Sequence, residues 1–215
     1  MRSPLFFFKL FLIDFLLLKN RIKIKEIETE GEKSKAIDLI WNVYKQDGYI
    51  DLRFFPDSSC FKDEFDQNSV YFLAFFKNKI IGAVRLVLFS SLGFPSERFF
   101  NFISLPINNK NKIAEISRLV VMGEENKYKK NIVTFGLLKK CFYYSKNKGI
   151  EFWYAILPEK LKIYFEKFKI KFYELSTNIP TSNQLEARKP HPYFQTYKPK
   201  LYKVILQEIE ENFTL

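Results

Sequence analysis

Polar and apolar residues alternate through Arg21-Ile22-Lys23-Ile24-Lys25-Glu26-Ile27, the period of a strand with one buried face. Beyond it, Ala36, Ile37, Ile40, Trp41 and Tyr44 recur at helical spacing and predict a helix over 33–46. Residues 47–69 contain Gly48, Pro56, Asp57, Ser58 and Ser59 and read as a long loop, a kind of segment that in a compact domain is often functional. The β-rich runs Val70–Phe76 and Ile80–Phe89 flank Lys77-Asn78-Lys79 and predict a hairpin. The segment SSLGFPSERFF breaks the sheet at Gly93 and Pro95 and then opens a short helix.

Ile113–Val121 (IAEISRLVV) reads as the next strand. Residues 131–147 carry Leu137, Leu138, Cys141 and Phe142 on one helical stripe, which Gly149 is suited to stop. Strands are predicted over Glu151–Leu157, Ile170–Ser176 and Tyr197–Leu206, with a short helix over Pro158–Phe168 and a Pro- and Asn-containing loop after 176. This order predicts an α/β fold: a mixed central sheet flanked by helices on both faces. There is neither an internal repeat nor a flexible linker, so residues 20–215 read as a single domain.

Residues 5–18 (LFFFKLFLIDFLLL) are strongly apolar but broken by Lys9 and Asp14, and shorter than the ~20 residues that cross a bilayer. Only Arg2 provides a basic start, and no small-residue cleavage site follows. Three readings of the extension 1–19 stand side by side: an interfacial anchor on a membrane surface, a helix packed on the domain, or an incidental translated stretch.

The 215 residues include 47% hydrophobic and 27% charged positions, a globular balance. Phe occurs 25 times, so aromatic rings are expected to line the core and any apolar pocket. A net charge of +11 suits an acidic partner: an anionic membrane surface, an acidic carrier protein or nucleic acid. The basic residues form no stripe interleaved with aromatics, which argues against nucleic acid. Cys60 and Cys141 lack metal-ligand spacing, and His191 is a lone histidine, so neither a metal site nor a Ser/His/Asp triad is supported. A reducing cytoplasm is the simplest compartment, with peripheral attachment to the inner face of the membrane through residues 5–18 left open.

Four charged clusters carry the candidate chemistry: Asp63-Glu64-Phe65-Asp66, Arg85 inside IIGAVRLVL, Glu115-Ile116-Ser117-Arg118 inside an apolar strand, and Lys127 to Lys130 before a helix. A charge in a central strand must be paired or face a cavity. Asp63, Asp66 and Glu115 are the acids available to Arg85 and Arg118, unless these lie on an edge strand in water. His191, between Pro190 and Pro192, reads as a surface histidine in a Pro-fixed loop.

From about Ile22 to Phe168 the chain resembles the GNAT branch of acyl-homoserine-lactone synthases and FeeM-like N-acyl amino acid synthases. The likeness rests on Val43-Tyr44 with Gly48-Tyr49, Asp63-x-x-Asp66, Gly82-x-x-Arg85-Leu86, Glu115-x-Ser117-Arg118-Leu119, and Leu137-Leu138 with Lys148-Gly149-Ile150. It implies a GNAT fold and transfer of a fatty acyl group from a carrier-protein or coenzyme A thioester to the amine of an amino-acid-like acceptor, without a metal. It further implies that Asp63, Asp66, Arg85, Ser117 and Arg118 order the acceptor cleft. Asp66 would hold an ammonium, and an arginine would grip a carboxylate. Glu115 would be the general base, directly or through one water. Arg118 would anchor that acid or the acceptor, and backbone N–H groups of Leu119, Val120 and Val121 would polarise the thioester carbonyl.

Glu115 and Arg118 have opposite parity in a regular strand, so a β-bulge is expected within 116–121. The chain departs from the branch at Trp41, where relatives often carry arginine, and at Tyr49, where lactone synthases commonly carry tryptophan. Both departures favour an amino acid or related amine over S-adenosylmethionine as acceptor. Tyr128–Leu137 lacks the glycine-rich turn that cradles a pyrophosphate in ordinary acetyltransferases, which favours carrier-protein thioesters. Lys127, Lys129 and Lys130 stand where an acidic carrier or a phosphopantetheine phosphate would dock. A GNAT-shaped protein that only docks a carrier or membrane is the non-enzymatic alternative.

Overall fold

The computed structural model of the chain describes residues 4–101, 109–122, 127–175 and 181–213. The alternating segment forms β1 (Ile22–Glu26), and the hairpin runs form β2 (Ser69–Phe76) and β3 (Lys79–Leu88). Lys77 and Asn78 both take positive φ, 47° and 63°, the two-residue turn whose twist suits an antiparallel hairpin. With β4 (Ile113–Val121), β5 (Phe152–Leu157), β6 (Tyr173–Glu174) and β7 (Lys200–Ile205), they make a seven-stranded sheet in the order β1-β2-β3-β4-β5-β7-β6. Of its neighbouring pairs only β4 and β5 run parallel.

The longer helices are α1 (Pro4–Lys19), α2 (Glu30–Gln46) and α3 (Lys127–Asn147), followed by α4 (Glu159–Glu166), α5 (Ser182–Arg188), α6 (Pro192–Tyr197) and α7 (Leu206–Asn212). One face of the sheet presents Phe72, Val84, Leu86 and Ala114 to α1, α3, α4 and α7. The opposite face presents Tyr71, Leu73, Ala83 and Val120 to Ala36, Ile37 and Ile40 of α2. Helices therefore cover both faces. At the β5–β7 end of the α2 side, Phe94, Phe100, Tyr154 and Leu201 form a separate aromatic-rich cluster with Phe194 of α6.

Residues 4–19 are a helix packed on the sheet's α3 side, with Leu10 and Ile13 in the main core. Lys139 of α3, buried, donates from Nζ to the carbonyl of Leu10 (2.7 Å) and pairs with Asp14. At Gly136 the three elements α1, β1 and α3 converge: a Cβ there would lie 2.4 Å from Ile24 Cδ1 and 3.1 Å from both Leu17 methyls. Gly136→Val is expected to cost about 1–3 kcal/mol by overpacking. The measurement is the urea midpoint at unchanged m-value, and an unshifted midpoint would show that the contact yields freely.

Three sequence expectations change. The strand expected over Ile170–Ser176 contracts to β6, residue 176 lying outside the described segments. The loop expected before the last strand contains α5 and α6, and the chain adds α7 after β7. These helices have 7, 6 and 7 residues, too short to be stable on propensity alone, so packing decides them. Gly149 stops α3 as expected: it takes φ 71°, and the N–H of Ile150 reaches back to Ser145 O (2.9 Å).

Candidate active site

The centre of the sheet carries the anticipated irregularity. Ala83 pairs with Val120 and Arg85 with Ser117, so Arg118 and Leu119 together oppose Val84. Arg118 takes φ 55°, the backbone signature of a bulge residue. The extra residue removes the parity conflict. Ser117 and Arg118 reach the α2 side together, while Ile116, Leu119 and Val121 pack toward α3.

Just beyond, β4 leaves its parallel neighbour. Their register ends at Ile116↔Ala155, although β4 continues to Val121 and β5 to Leu157. Met122 donates its N–H to Ile81 O on the β3 side (2.7 Å). By strand alternation the N–H of Val121 then points away from β3, toward the opening, and that of Val120 back to β3. Of the three backbone donors expected at a thioester carbonyl, Val121 is thus the one presented to the gap and Val120 is not. Leu119 sits within the bulge.

Beside the bulge lies a neutral network of two arginines and two aspartates. Arg85, 2% exposed, donates from Nη1 to both oxygens of Asp63 (2.8 Å each) and to Asp66 Oδ1 (2.9 Å), and from Nε to Ser117 Oγ (2.9 Å). Arg118 donates from Nη2 to Asp63 Oδ2 (2.8 Å) and to Phe61 O (2.6 Å), and from Nη1 to Tyr71 Oη (3.0 Å). Asp66 also accepts the Tyr71 hydroxyl (2.7 Å) and the N–H of Asp63 (3.2 Å). Burial disfavours the charge of Arg85, but Tyr71, Asp63 and Asp66 outweigh it and raise its pKa. Burial likewise opposes ionisation of Asp66, yet the Tyr71 hydrogen bond and the charges of Arg118 and Arg85 hold its carboxyl below the usual carboxylate value.

Two expectations shift here. Asp66, expected to hold an acceptor ammonium, is buried with both oxygens engaged, leaving Asp63 as the more accessible acid. Arg118 is tied to Asp63, Tyr71 and Phe61 rather than to Glu115, and its guanidinium lies 5.6 Å over the Phe61 ring.

Glu115 lies on the same face as Ser117, two pairs further along the strand, opposite Val87. It is 1% exposed, and its Oε2 accepts the N–H of Ser96 (3.0 Å). Burial pushes its pKa up to about 7, against the Ser96 hydrogen bonds and the nearby charge of Arg85. A carboxyl poised near neutrality suits general-base work.

Residues 181–199 strap the α2 side of the sheet. Asp51 N–H binds Pro190 O (3.1 Å), Arg188 donates from Nε to Phe99 O (3.0 Å), and Tyr193 packs on Tyr49 with ring centroids 4.9 Å apart. Within the strap, His191 is not at the surface as expected. It is half-buried against Phe55 (4.7 Å) and Phe99 (6.0 Å), and burial together with the charge of Arg118 lowers its pKa to about 4.

Lys129 and Lys130 are exposed at the start of α3, with Lys129 Nζ 5.6 Å over the Phe76 ring; the side chain of Lys127 lies outside the described residues. Cys141 is buried in the core as expected, and Cys60 is exposed. Trp41, at the position of departure, donates Nε1–H to Phe55 O (3.1 Å) and so ties α2 to the following loop. Among the described residues no group of His, Cys, Asp and Glu is placed to hold a metal ion, and no helix is long and apolar enough to cross a membrane.

Sequence reasoning missed Tyr71, Ser96 and the strap. Tyr71 pairs with Arg85 only because the hairpin register shifts between Ala74 and Phe75; counted from the Lys77-Asn78 turn without that shift, Tyr71 would face Val84, so the turn did not announce it. Ser96 and His191 reach the site through tertiary packing, with no local pattern to announce them.

Residues 35–172 match the family profile described as N-acyl amino acid synthase FeeM. No curated protein matches the chain by sequence. Among solved structures, FeeM, an N-acyl amino acid synthase from uncultured soil microbes, aligns with TM-score 0.61 at 11% identity, over 89% of this chain and 94% of its own. BjaI, a CoA-dependent acyl-homoserine lactone synthase solved with SAM and isopentyl-CoA, aligns with TM-score 0.62 at 15% identity, over 88% and 87%. A GNAT-family acetyltransferase from Staphylococcus aureus Mu50 aligns with TM-score 0.50 at 15% identity, over 86% and 99%. The structural likenesses establish the GNAT fold, and the profile covers well over half of the sequence. The chain therefore belongs to the FeeM family of N-acyl amino acid synthases and is an N-acyltransferase.

Proposed function

We propose that this N-acyltransferase moves a fatty acyl group from an acyl-carrier-protein or acyl-CoA thioester to the amine of an amino-acid-like acceptor, with Glu115 as general base. The observation that carries this reading is the buried Glu115, on the strand that parts from β5 just beyond it and two rows from Arg85 on the same face of the sheet. Glu115, directly or through one water, takes a proton from the acceptor ammonium. The freed amine attacks the thioester carbonyl, and the N–H of Val121 faces the developing oxyanion from the gap. Collapse breaks the C–S bond, the thiol leaves with a proton, and the amide remains.

Arg85 and Arg118, held by Asp63 and Asp66, shape the acceptor side, and the strap carrying His191 and Tyr193 closes it. The co-substrate of BjaI supports a coenzyme A donor. The missing glycine-rich turn in Tyr128–Leu137 and the exposed Lys129 and Lys130 favour an acidic carrier protein. Single-turnover transfer from labelled acyl-carrier proteins and acyl-CoAs to pooled amino acids and S-adenosylmethionine tests both choices. Acylated amino acid formed faster from the carrier thioester is the expected product. Transfer to S-adenosylmethionine alone would make the protein a lactone synthase, and carrier binding without any product would make it a docking protein.

A further inference from the structure

α1 turns one apolar face into the domain and another outward. Leu10 and Ile13 are buried against α3, whereas Phe8, Phe11, Phe15 and Leu18 are 64%, 66%, 50% and 77% exposed. Spacings of three and four residues put these four on a single stripe along the helix. A helix of a water-soluble domain ordinarily presents polar residues there, and a contiguous exposed apolar stripe marks a contact surface.

We propose that the Phe8-Phe11-Phe15-Leu18 stripe docks the protein on an anionic lipid surface, with α1 lying in the interface plane. Charge selects this occupant. The chain carries +11, the stripe ends beside exposed Lys19 and Arg21, and Lys140 is exposed on the adjoining helix α3. Asp14, the one carboxylate within α1 itself, is paired with Lys139. A second copy of the chain fits less well, because two strongly positive surfaces would meet. The stripe also offers only roughly 500 Å², below the ~800 Å² per partner of a stable interface. Four large apolar side chains with basic neighbours match instead the shallow insertion of an interfacial helix, in which rings reach the acyl boundary and cations meet phosphate headgroups. The stripe lies on the α3 side of the sheet and the Arg85 network on the α2 side, so docking leaves the acceptor side open.

Full-length protein is sedimented with vesicles of phosphatidylcholine alone and of phosphatidylcholine with phosphatidylglycerol. Binding is expected only to the anionic vesicles, weakening as salt rises. It is expected to fall by about tenfold or more when Phe8, Phe11, Phe15 and Leu18 are all replaced by Gln. Far-UV circular dichroism checks that the variant keeps its helices. A second measurement keeps the native stripe nearly intact. Phe11→Cys in a Cys60→Ser background, carrying a polarity-sensitive fluorophore, is expected to shift to the blue on anionic vesicles only. Absence of vesicle binding, equal binding by the Gln variant, no blue shift, or a dimer in sedimentation velocity that the Gln variant abolishes would each overturn the assignment.

Discussion

Glu115→Gln is expected to lower acyl transfer by about a hundredfold or more while leaving donor binding unchanged. The substitution keeps size and the acceptor oxygen for the Ser96 N–H, so the loss isolates proton abstraction from packing. In the native protein, activity is expected to rise with pH through about 7, as Glu115 becomes the carboxylate. That limb should vanish in the variant. Stability should move the other way. Burial places the folded pKa, about 7, above the ordinary value of 4.5, so between them the folded state binds more protons than the unfolded. Native stability therefore falls as pH rises through this window, and the full penalty is present above it. Glutamine carries no charge to desolvate, so the variant should gain on the native protein from pH 5 to pH 8, by up to about 3 kcal/mol. Urea titrations at the two pH values measure the gain. Retained activity with the predicted stability change would make Glu115 a structural acid that fixes the Ser96 segment.

The second large effect concerns the arginine–aspartate network. Arg85→Met is expected to destabilise the fold by about 3–5 kcal/mol, because it strips Asp63 and Asp66 of their shared buried partner and leaves Arg118 to neutralise both. Arg85→Lys should recover only part, since an ammonium cannot reproduce the fork that serves Ser117 and both aspartates at once. The loss is also expected to depend on pH. Asp66 titrates below its ordinary 3.8 in the native fold, so it stabilises the native protein above that pH, and the contribution is lost as pH falls. In the methionine variant Asp66, short of its Arg85 partner, gains from protonation. The difference between the two proteins should thus shrink on acidification below about pH 4, read from urea midpoints at matched ionic strength. A difference independent of pH would assign the cost to packing alone.

The period-2 pattern of β1, the Lys77-Asn78 turn, the limits of β4 and the stop at Gly149 were legible because each depends on a few adjacent residues and their φ requirements. The candidate chemistry was legible for a related reason. Charges at Arg85 and Glu115 inside apolar strands must be paired or lined by a cavity, and the Asp63–Asp66 segment was an evident source of partners. Even the bulge followed from sequence, through the opposite parity of Glu115 and Arg118.

Tertiary structure alone decided the pairing. Arg118 went to Asp63 and Tyr71 rather than to Glu115, Asp66 was consumed by Arg85, Arg118, Tyr71 and the Asp63 amide, and Glu115 was left to the Ser96 amide. It also brought His191, read as a surface residue, into an aromatic enclosure near Arg118, carried there by two short helices that packing stabilises. Local rules act over a turn of helix or a pair of strands. Which buried acid meets which buried arginine is set by segments far apart in the chain, and only the assembled core holds them in register.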